Sequence, residues 1–421
     1  MTLGLGILIA TLLAGAYMAW SIGANDVANA MGTSVGSGAL TLTAAIVVAG
    51  VLEFSGSVMV GASVTETIQK GIIEVSAFEP SGEFGADGPK LLAIGMLAAL
   101  LAAAIWLHVA THYGLPVSTT HSIVGAIVGV GIVSFGWRGI DWGTMGQIVL
   151  SWVVSPLTGG LLGFLTFAFI RRRILASGDP VGAARSVAPW LVAVVTLIMV
   201  LSFVYKALGN VVDSPPLALT LGVAAASGLA IGLITRAATR RRNVVTGSPY
   251  AYVERIFTRL QITTACFVAF AHGANDVANA VGPVSAVVDL YRGGYATVTG
   301  SVAVPIWILV LGGGGIVLGL ATLGYKVIAT IGKQITDMTP TRGFSAEFGA
   351  ATTVLIASSL GLPISTTHTL VGAVIGVGFA QGIGALNLRV IRNIVNSWIA
   401  TVPTAALLAS ALFLLGRALV F

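Results

Sequence analysis

GANDVANA, residues 23–30, recurs without a single change at residues 273–280. A second pair repeats almost as well: GLPVSTTHSIVGAIVGVG at 114–131 and GLPISTTHTLVGAVIGVG at 361–378 are identical at 13 of 18 positions. A weaker third echo joins SWVVSP at 151–156 to SWIATVP at 397–403. The offsets of the first two pairs, 250 and 247 residues, are so close that the halves run nearly in register. The chain is a duplication, and its fold follows from what surrounds the repeated motifs.

What surrounds them is apolar. Of 421 residues, 56% are hydrophobic and 9% charged, more apolar surface than a water-soluble core of ordinary size hides. Runs of about 20 uncharged residues match the length that crosses a hydrocarbon core of roughly 30 Å. Twelve such runs lie between residues 3 and 419. The expected fold is an all-α integral membrane protein of about 12 transmembrane segments, some re-entrant or broken. The 54 glycines fit closely packed membrane helices. No Lys or Arg precedes Lys70, so the first 20 residues read as a membrane segment, not a secretory signal. The single cysteine, Cys266, excludes an internal disulfide. Lys and Arg together outnumber the acids 21 to 15 but gather in connections and form no continuous basic face, which excludes a nucleic-acid partner.

Charge placement orients the chain. Arg171, Arg172, Arg173 and Arg185 lie in 171–187, and Arg236, Arg240, Arg241, Arg242 and Arg255 in 236–258, so both connections are expected on the cytoplasmic side. The count then puts 325–345 and 382–392 inside as well, and the acidic loop 63–90 and both termini outside the cell membrane. Residues 1–170 form the first repeat, 171–249 a linking region with two helices and basic connections, and 250–421 the second repeat. Seven segments separate corresponding points of the halves, an odd number, so the repeats are expected to be inverted, as in many secondary transporters.

Each motif has its own chemistry. Asn25, Asp26 and Asn29, with Asn275, Asp276 and Asn279, fall at the end of apolar runs, where an uninterrupted helix favours none of them. Their oxygens suit a hard cation such as sodium. A loop or cap at the membrane surface explains one copy better than two identical ones. In GLP[VI]STTH, Gly114-Leu115-Pro116 and Gly361-Leu362-Pro363 break the chain. Ser118, Thr119, Thr120 and Ser365, Thr366, Thr367 then crowd a predicted helix start. Free N–H groups, a partial positive charge and three hydroxyls make an anion site, whereas an ordinary N-cap needs one Ser or Thr.

Glu53 and Glu347 are isolated carboxylates in apolar surroundings, read either as snorkelling side chains or as coupling-ion or proton sites. His121 and His368 close the STTH motifs, and His272 stands where the first GANDVANA copy is preceded by Ile22. A buried, hydrogen-bonded histidine is commoner than a ligand, so none is assigned to substrate on this ground. No Lys or Arg occurs in 1–69, 91–137, 260–291 or 343–388, which hold all these residues. An anion beside two aspartates then needs cations or protons to accompany it, which points to cation-coupled symport. Carboxylates near the anion favour phosphate, which can donate a hydrogen bond at neutral pH, over sulfate, which cannot. A channel does not call for paired, inverted half-helix motifs. An enzyme calls for a single asymmetric centre with a nucleophile and a base, or a metal cluster.

The duplicated GANDVANA and GLP[VI]STTH motifs resemble the signatures of the inorganic phosphate transporter family of sodium–phosphate and proton–phosphate symporters. The resemblance covers roughly 1–170 and 250–421. It implies inverted repeats with re-entrant hairpins, external termini, a homodimer and an alternating-access movement. It implies coupling cations, sodium or protons, at Asn25, Asp26, Asn275 and Asp276, and inorganic phosphate at the two STT triplets. Glu53, Glu347 and His272 would match positions important for transport. Sulfate permeases and carriers of metal–phosphate complexes share similar motifs. No cofactor is expected beyond the co-transported sodium.

Overall fold

The computed structural model describes residues 3–69, 75–204, 216–240, 248–296, 298, 304–359 and 364–421. In chain order its α-helices are α1 (Leu3–Gly36), α2 (Leu42–Gln69), α3 (Gly88–His112), α4 (Thr119–Phe135), α5 (Trp142–Ile170), α6 (Pro180–Phe203), α7 (Leu217–Arg240), α8 (Pro249–Arg292), α9 (Ile306–Leu323), α10 (Tyr325–Ala329), α11 (Pro340–Ser359), α12 (Thr366–Gln381) and α13 (Leu388–Val420). Among the described residues nine segments are long and apolar enough to cross a membrane. At 16 residues, α12 is shorter than a full span.

The GANDVANA motifs do not end helices. The first lies inside the 34 residues of α1 and the second inside the 44 residues of α8, each helix continuing past the motif expected at the end of an apolar run. The motif persists as helix because Ala and Val fill four of its eight positions and its polar side chains find partners on neighbouring helices. The break expected at the first GLP is present: between α3 and α4, Gly114 has φ +65°, residues 115–118 belong to no helix, and Ser118 is extended. Gly361, Leu362 and Pro363 lie outside the described residues.

The two halves exchange partners. Helix α1 packs on α9 and α8 on α2; α4 packs on α13 and α12 on α5; α3 meets α13 as α11 meets α5; and α1 and α8 cross one another at the centre. Each contact has a counterpart when the halves are swapped. Small residues make the first two crossings close. A side-chain carbon at Gly23 would overlap the carbonyl oxygen of Ile316 on α9, and one at Gly273 would overlap that of Glu53 on α2. The glycine that opens GANDVANA is therefore a point of backbone contact in both copies. Gly273→Val is expected to force α2 away from α8 and cost about 1–3 kcal/mol, as overpacking does. Thermal unfolding in detergent measures the loss.

The linking helices α6 and α7 pair with each other, and α6 also packs on α8. The basic connections meet at one end of the molecule. Arg185 donates from Nε to the Tyr252 hydroxyl (3.2 Å), and Glu254 accepts from Thr341 N and Oγ1 (2.9 Å each). At the same end Arg171 donates to the carbonyl of Ala380 at the close of α12 (2.6 Å). One shared end for these segments is what the positive-inside rule asks of them. Elsewhere Asp141 caps α5, accepting from the N–H groups of Gly143 (2.9 Å) and Thr144 (3.0 Å). Hydrogen bonds from the Thr144 backbone and hydroxyl hold its carboxyl below the usual carboxylate range. Because the folded value is depressed, this cap holds above the ordinary carboxylate pKa and is lost as pH falls through the lowered one.

Candidate functional site

Two helix beginnings and two helix middles meet at the centre of the molecule. Ser118 and Ser365 cap α4 and α12, accepting from the N–H of His121 (3.2 Å) and of His368 (3.1 Å). The first hydroxyl of each triplet is thus an N-cap, the ordinary reading. The threonines that follow do something else. Thr119, on α4, donates to Oδ2 of Asp26. Thr367, on α12, donates to Oδ1 of the same carboxylate (3.0 Å). Asn29, one turn on from Asp26, donates to that oxygen (3.3 Å) and to Thr367 Oγ1 (2.8 Å). Asp26 therefore joins both hydroxyl triplets. Thr366 reaches Oδ2 of Asp276 (3.4 Å), tying the second aspartate to α12. Thr120, between Thr119 and His121, is buried as well.

Asp26, Asp276 and His272 each place one ligand atom within 4.8 Å of the others, all three buried. His272 Nε2 stands 2.7 Å from Asp276 Oδ2, and its Nδ1 stands 3.3 Å from Glu53 Oε1. Neither approach is aligned as a hydrogen bond, so these are contacts of charge and proximity. The site lacks Lys and Arg, yet histidine is a positive group available to it when protonated. A survey restricted to Lys and Arg leaves that out.

Asn25, expected beside the cation, braces the chain break. Its amide donates to Thr111 Oγ1 (2.9 Å) and to the Leu115 carbonyl (3.1 Å), and its Oδ1 accepts from Val117 N (3.1 Å). It thereby fixes the non-helical stretch that aims α4 at Asp26. Asn275 is half-buried on α8. One turn further on, Oδ1 of Asn29 and of Asn279 are buried with no hydrogen-bond partner among the described residues.

The two glutamates are not counterparts. Glu53 lies on α2 beside His272, whereas Glu347 lies on α11, the helix that precedes the second STTH motif. Glu347 is fully buried in a cage of donors. Thr33 (2.6 Å), Ser34 (2.8 Å) and Gln261 (3.3 Å) donate to its Oε1, and Thr264 donates to Oε2. Sequence reasoning missed these four residues. The available signal was polar residues in apolar helices, Thr33-Ser34 on α1 and Gln261 with Thr264 one turn apart on α8, both unusual in a span.

The third echo also acquires a role. Trp152 stacks on His121 and Trp398 on His368, each with ring centroids 3.7 Å apart, while the two histidines meet edge to face at 4.2 Å. Trp398 Nε1 donates to the Pro116 carbonyl (2.9 Å), bracing the break in the other half. The STTH histidines are packing groups between tryptophans.

A family model described as the phosphate transporter family matches residues 22–409. A Pyrococcus abyssi protein named as a phosphate permease is 49% identical over 407 residues, 96% of this chain and 97% of that one. The chloroplastic inorganic phosphate transporter of Arabidopsis thaliana is 46% identical over 95% of this chain and 70% of its own length. A solved structure of a sodium-dependent phosphate transporter matches with a TM-score of 0.89 and 44% identity, over 99% of this chain and 100% of that one.

Proposed function

The chain belongs to the phosphate transporter family, and from that footing we propose that it imports inorganic phosphate by sodium symport, through a site its two halves share. The phosphate would take hydrogen bonds from Thr120, from free N–H groups at the starts of α4 and α12, and from Thr119, Thr366 and Thr367 once cations on the aspartates release their hydroxyls, with Ser118 and Ser365 holding those starts in shape. Sodium ions, as co-transported substrate, would take oxygens from Asp26, Asp276, Asn29 and Asn279, with Asn25 and Asn275 supporting the two motifs.

A single observation carries this reading: Asp26, from a cation motif, is gripped by a threonine from each anion motif. Cation and anion would thus share ligands and neighbours, so each stabilises the other's binding. Without cations the site is unfavourable for an anion. Two carboxylates about 5 Å apart repel by about 3 kcal/mol at an effective dielectric near 20, and phosphate adds to that. Exposure of the site to one side and then the other by inverted halves, external termini, residence in the cell membrane and pairing of two copies belong to the same proposal.

A second reading has its own support. Glu53 lies 3.3 Å from one nitrogen of His272, whose other nitrogen faces Asp276 and Asp26, and a small turn of the ring would let Glu53 orient the imidazole on a transition metal. Proton-driven carriage of a metal–phosphate complex would use those groups.

Radiolabelled phosphate uptake into proteoliposomes separates the two. An inward sodium gradient is expected to drive accumulation without added divalent metal, and excess sulfate is expected not to compete. Accumulation driven only by a proton gradient and stimulated by a divalent cation would favour the second reading. Sulfate competition would replace the substrate.

A further inference from the structure

A cavity of about 410 Å³ lies between the linking helix α6 and the core helices α2, α8, α11 and α12. Its walls are almost wholly apolar: Met199 comes from α6, Cys266 and Phe270 from α8, and Ala351 and Val354 from α11. Polar groups occur at one place only, where Asn29, His272 and Thr366 of the central site form part of the lining. Among the described residues no Lys, Arg, Asp or Glu lines it.

The cavity is only partly enclosed. The outer faces of its wall helices are exposed and apolar at Met59 on α2, Val194 on α6 and Ile356 on α11. In a chain that lies in a bilayer, those faces meet hydrocarbon, so the gap between the walls communicates with lipid tails. Water gains little from such a space, because apolar cavities stay dry while admitting apolar molecules. An empty space also forfeits the dispersion contacts of its lining atoms. The volume is that of a small-molecule ligand site. The described walls are apolar side chains that pack on hydrocarbon and not on a lipid headgroup, so the occupant enters by its tail.

We propose that this cavity holds one acyl chain of a membrane phospholipid, inserted between α6 and the core, with its end against Asn29, His272 and Thr366. The chain closes the central site off from the side: ions and water reach the aspartates along the axis of the molecule and not through the gap beside α6. The inference depends on the membrane setting and the shape of the cavity, not on which ion or anion is carried.

The test is photolabelling of the full protein in phosphatidylcholine vesicles containing a phospholipid with a diazirine near the end of one acyl chain. Adducts are mapped by peptide mass spectrometry. Adducts are expected within 266–271 and 350–355, as well as at lipid-facing positions such as Leu407 on α13, which is 73% exposed. Ala351→Phe fills the cavity, and should reduce the 266–271 adducts severalfold while the Leu407 adducts persist. Val354→Phe should do the same by a different wall. Adducts confined to lipid-facing positions in the wild-type protein would overturn the proposal. So would rapid modification of Cys266, the only thiol in the chain, by a charged sulfonate reagent, since that outcome makes the cavity a watery one.

Discussion

Asp26→Asn is expected to lower sodium-driven phosphate uptake in proteoliposomes by at least about a hundredfold, and Asp276→Asn to do nearly the same. The magnitude follows from a lost unit charge. A cation about 4 Å from a carboxylate gains about 4 kcal/mol at an effective dielectric near 20, and each 1.4 kcal/mol is tenfold in an equilibrium. The fold should survive both changes. Asp26 accepts from the hydroxyls of Thr119 and Thr367 and from Asn29. A hydroxyl is both donor and acceptor, so a threonine facing the new amide can turn and accept from it. Asp276 has a weaker hydroxyl contact, from Thr366 at 3.4 Å, and its amide variant keeps an oxygen to face His272 Nε2, 2.7 Å away. Both variants should therefore elute and unfold as the parent does. Normal concentrative uptake by either would remove that aspartate from the coupling step.

Glu347→Gln is the second change from which a large effect is expected, a fall in uptake of about tenfold or more, equivalent to roughly 1.4 kcal/mol. Four donors from α1 and α8 converge on this carboxylate, and no positive side chain is among them. Glutamine keeps the size of the group and one acceptor oxygen, and Thr264 can rotate to accept from its amide. The charge alone is removed. Glu347→Leu tests the other half of the matter, because it leaves the donors unpaired at about 1–3 kcal/mol for each that stays buried. That variant should unfold at a lower temperature, whereas the glutamine variant should not. Uptake by Glu347→Gln equal to the parent's would make the carboxylate a structural acceptor only. A changed dependence of uptake on sodium in a stable protein would make it part of the cation path.

The glutamates show why some of the site was hidden in the sequence. Glu53 and Glu347 look alike there, each a lone acid in an apolar run. Their surroundings differ completely: one faces a histidine, the other a ring of hydroxyls and an amide. Which of these an acid meets depends on helices hundreds of residues away, Glu347 meeting α1 across 314 and 313 positions. Asn25 and Asn29 make the same point within one motif. They stand four apart on α1, yet one braces a chain break and the other leaves an oxygen open at the site.

The sequence by itself determined the membrane setting, the duplication, the chain break before the first STTH motif and the gathering of basic connections at one end. Those properties reside in composition, in repeated words and in backbone chemistry local to Gly, Pro and Ser. Only the tertiary structure decided that GANDVANA continues as helix and that its glycine is a backbone contact. It alone brought Asp26 between the starts of α4 and α12, and set His272 between Asp276 and Glu53. These depend on the distance between atoms far apart in the chain, and no periodicity along one strand of sequence carries a distance across a helix crossing.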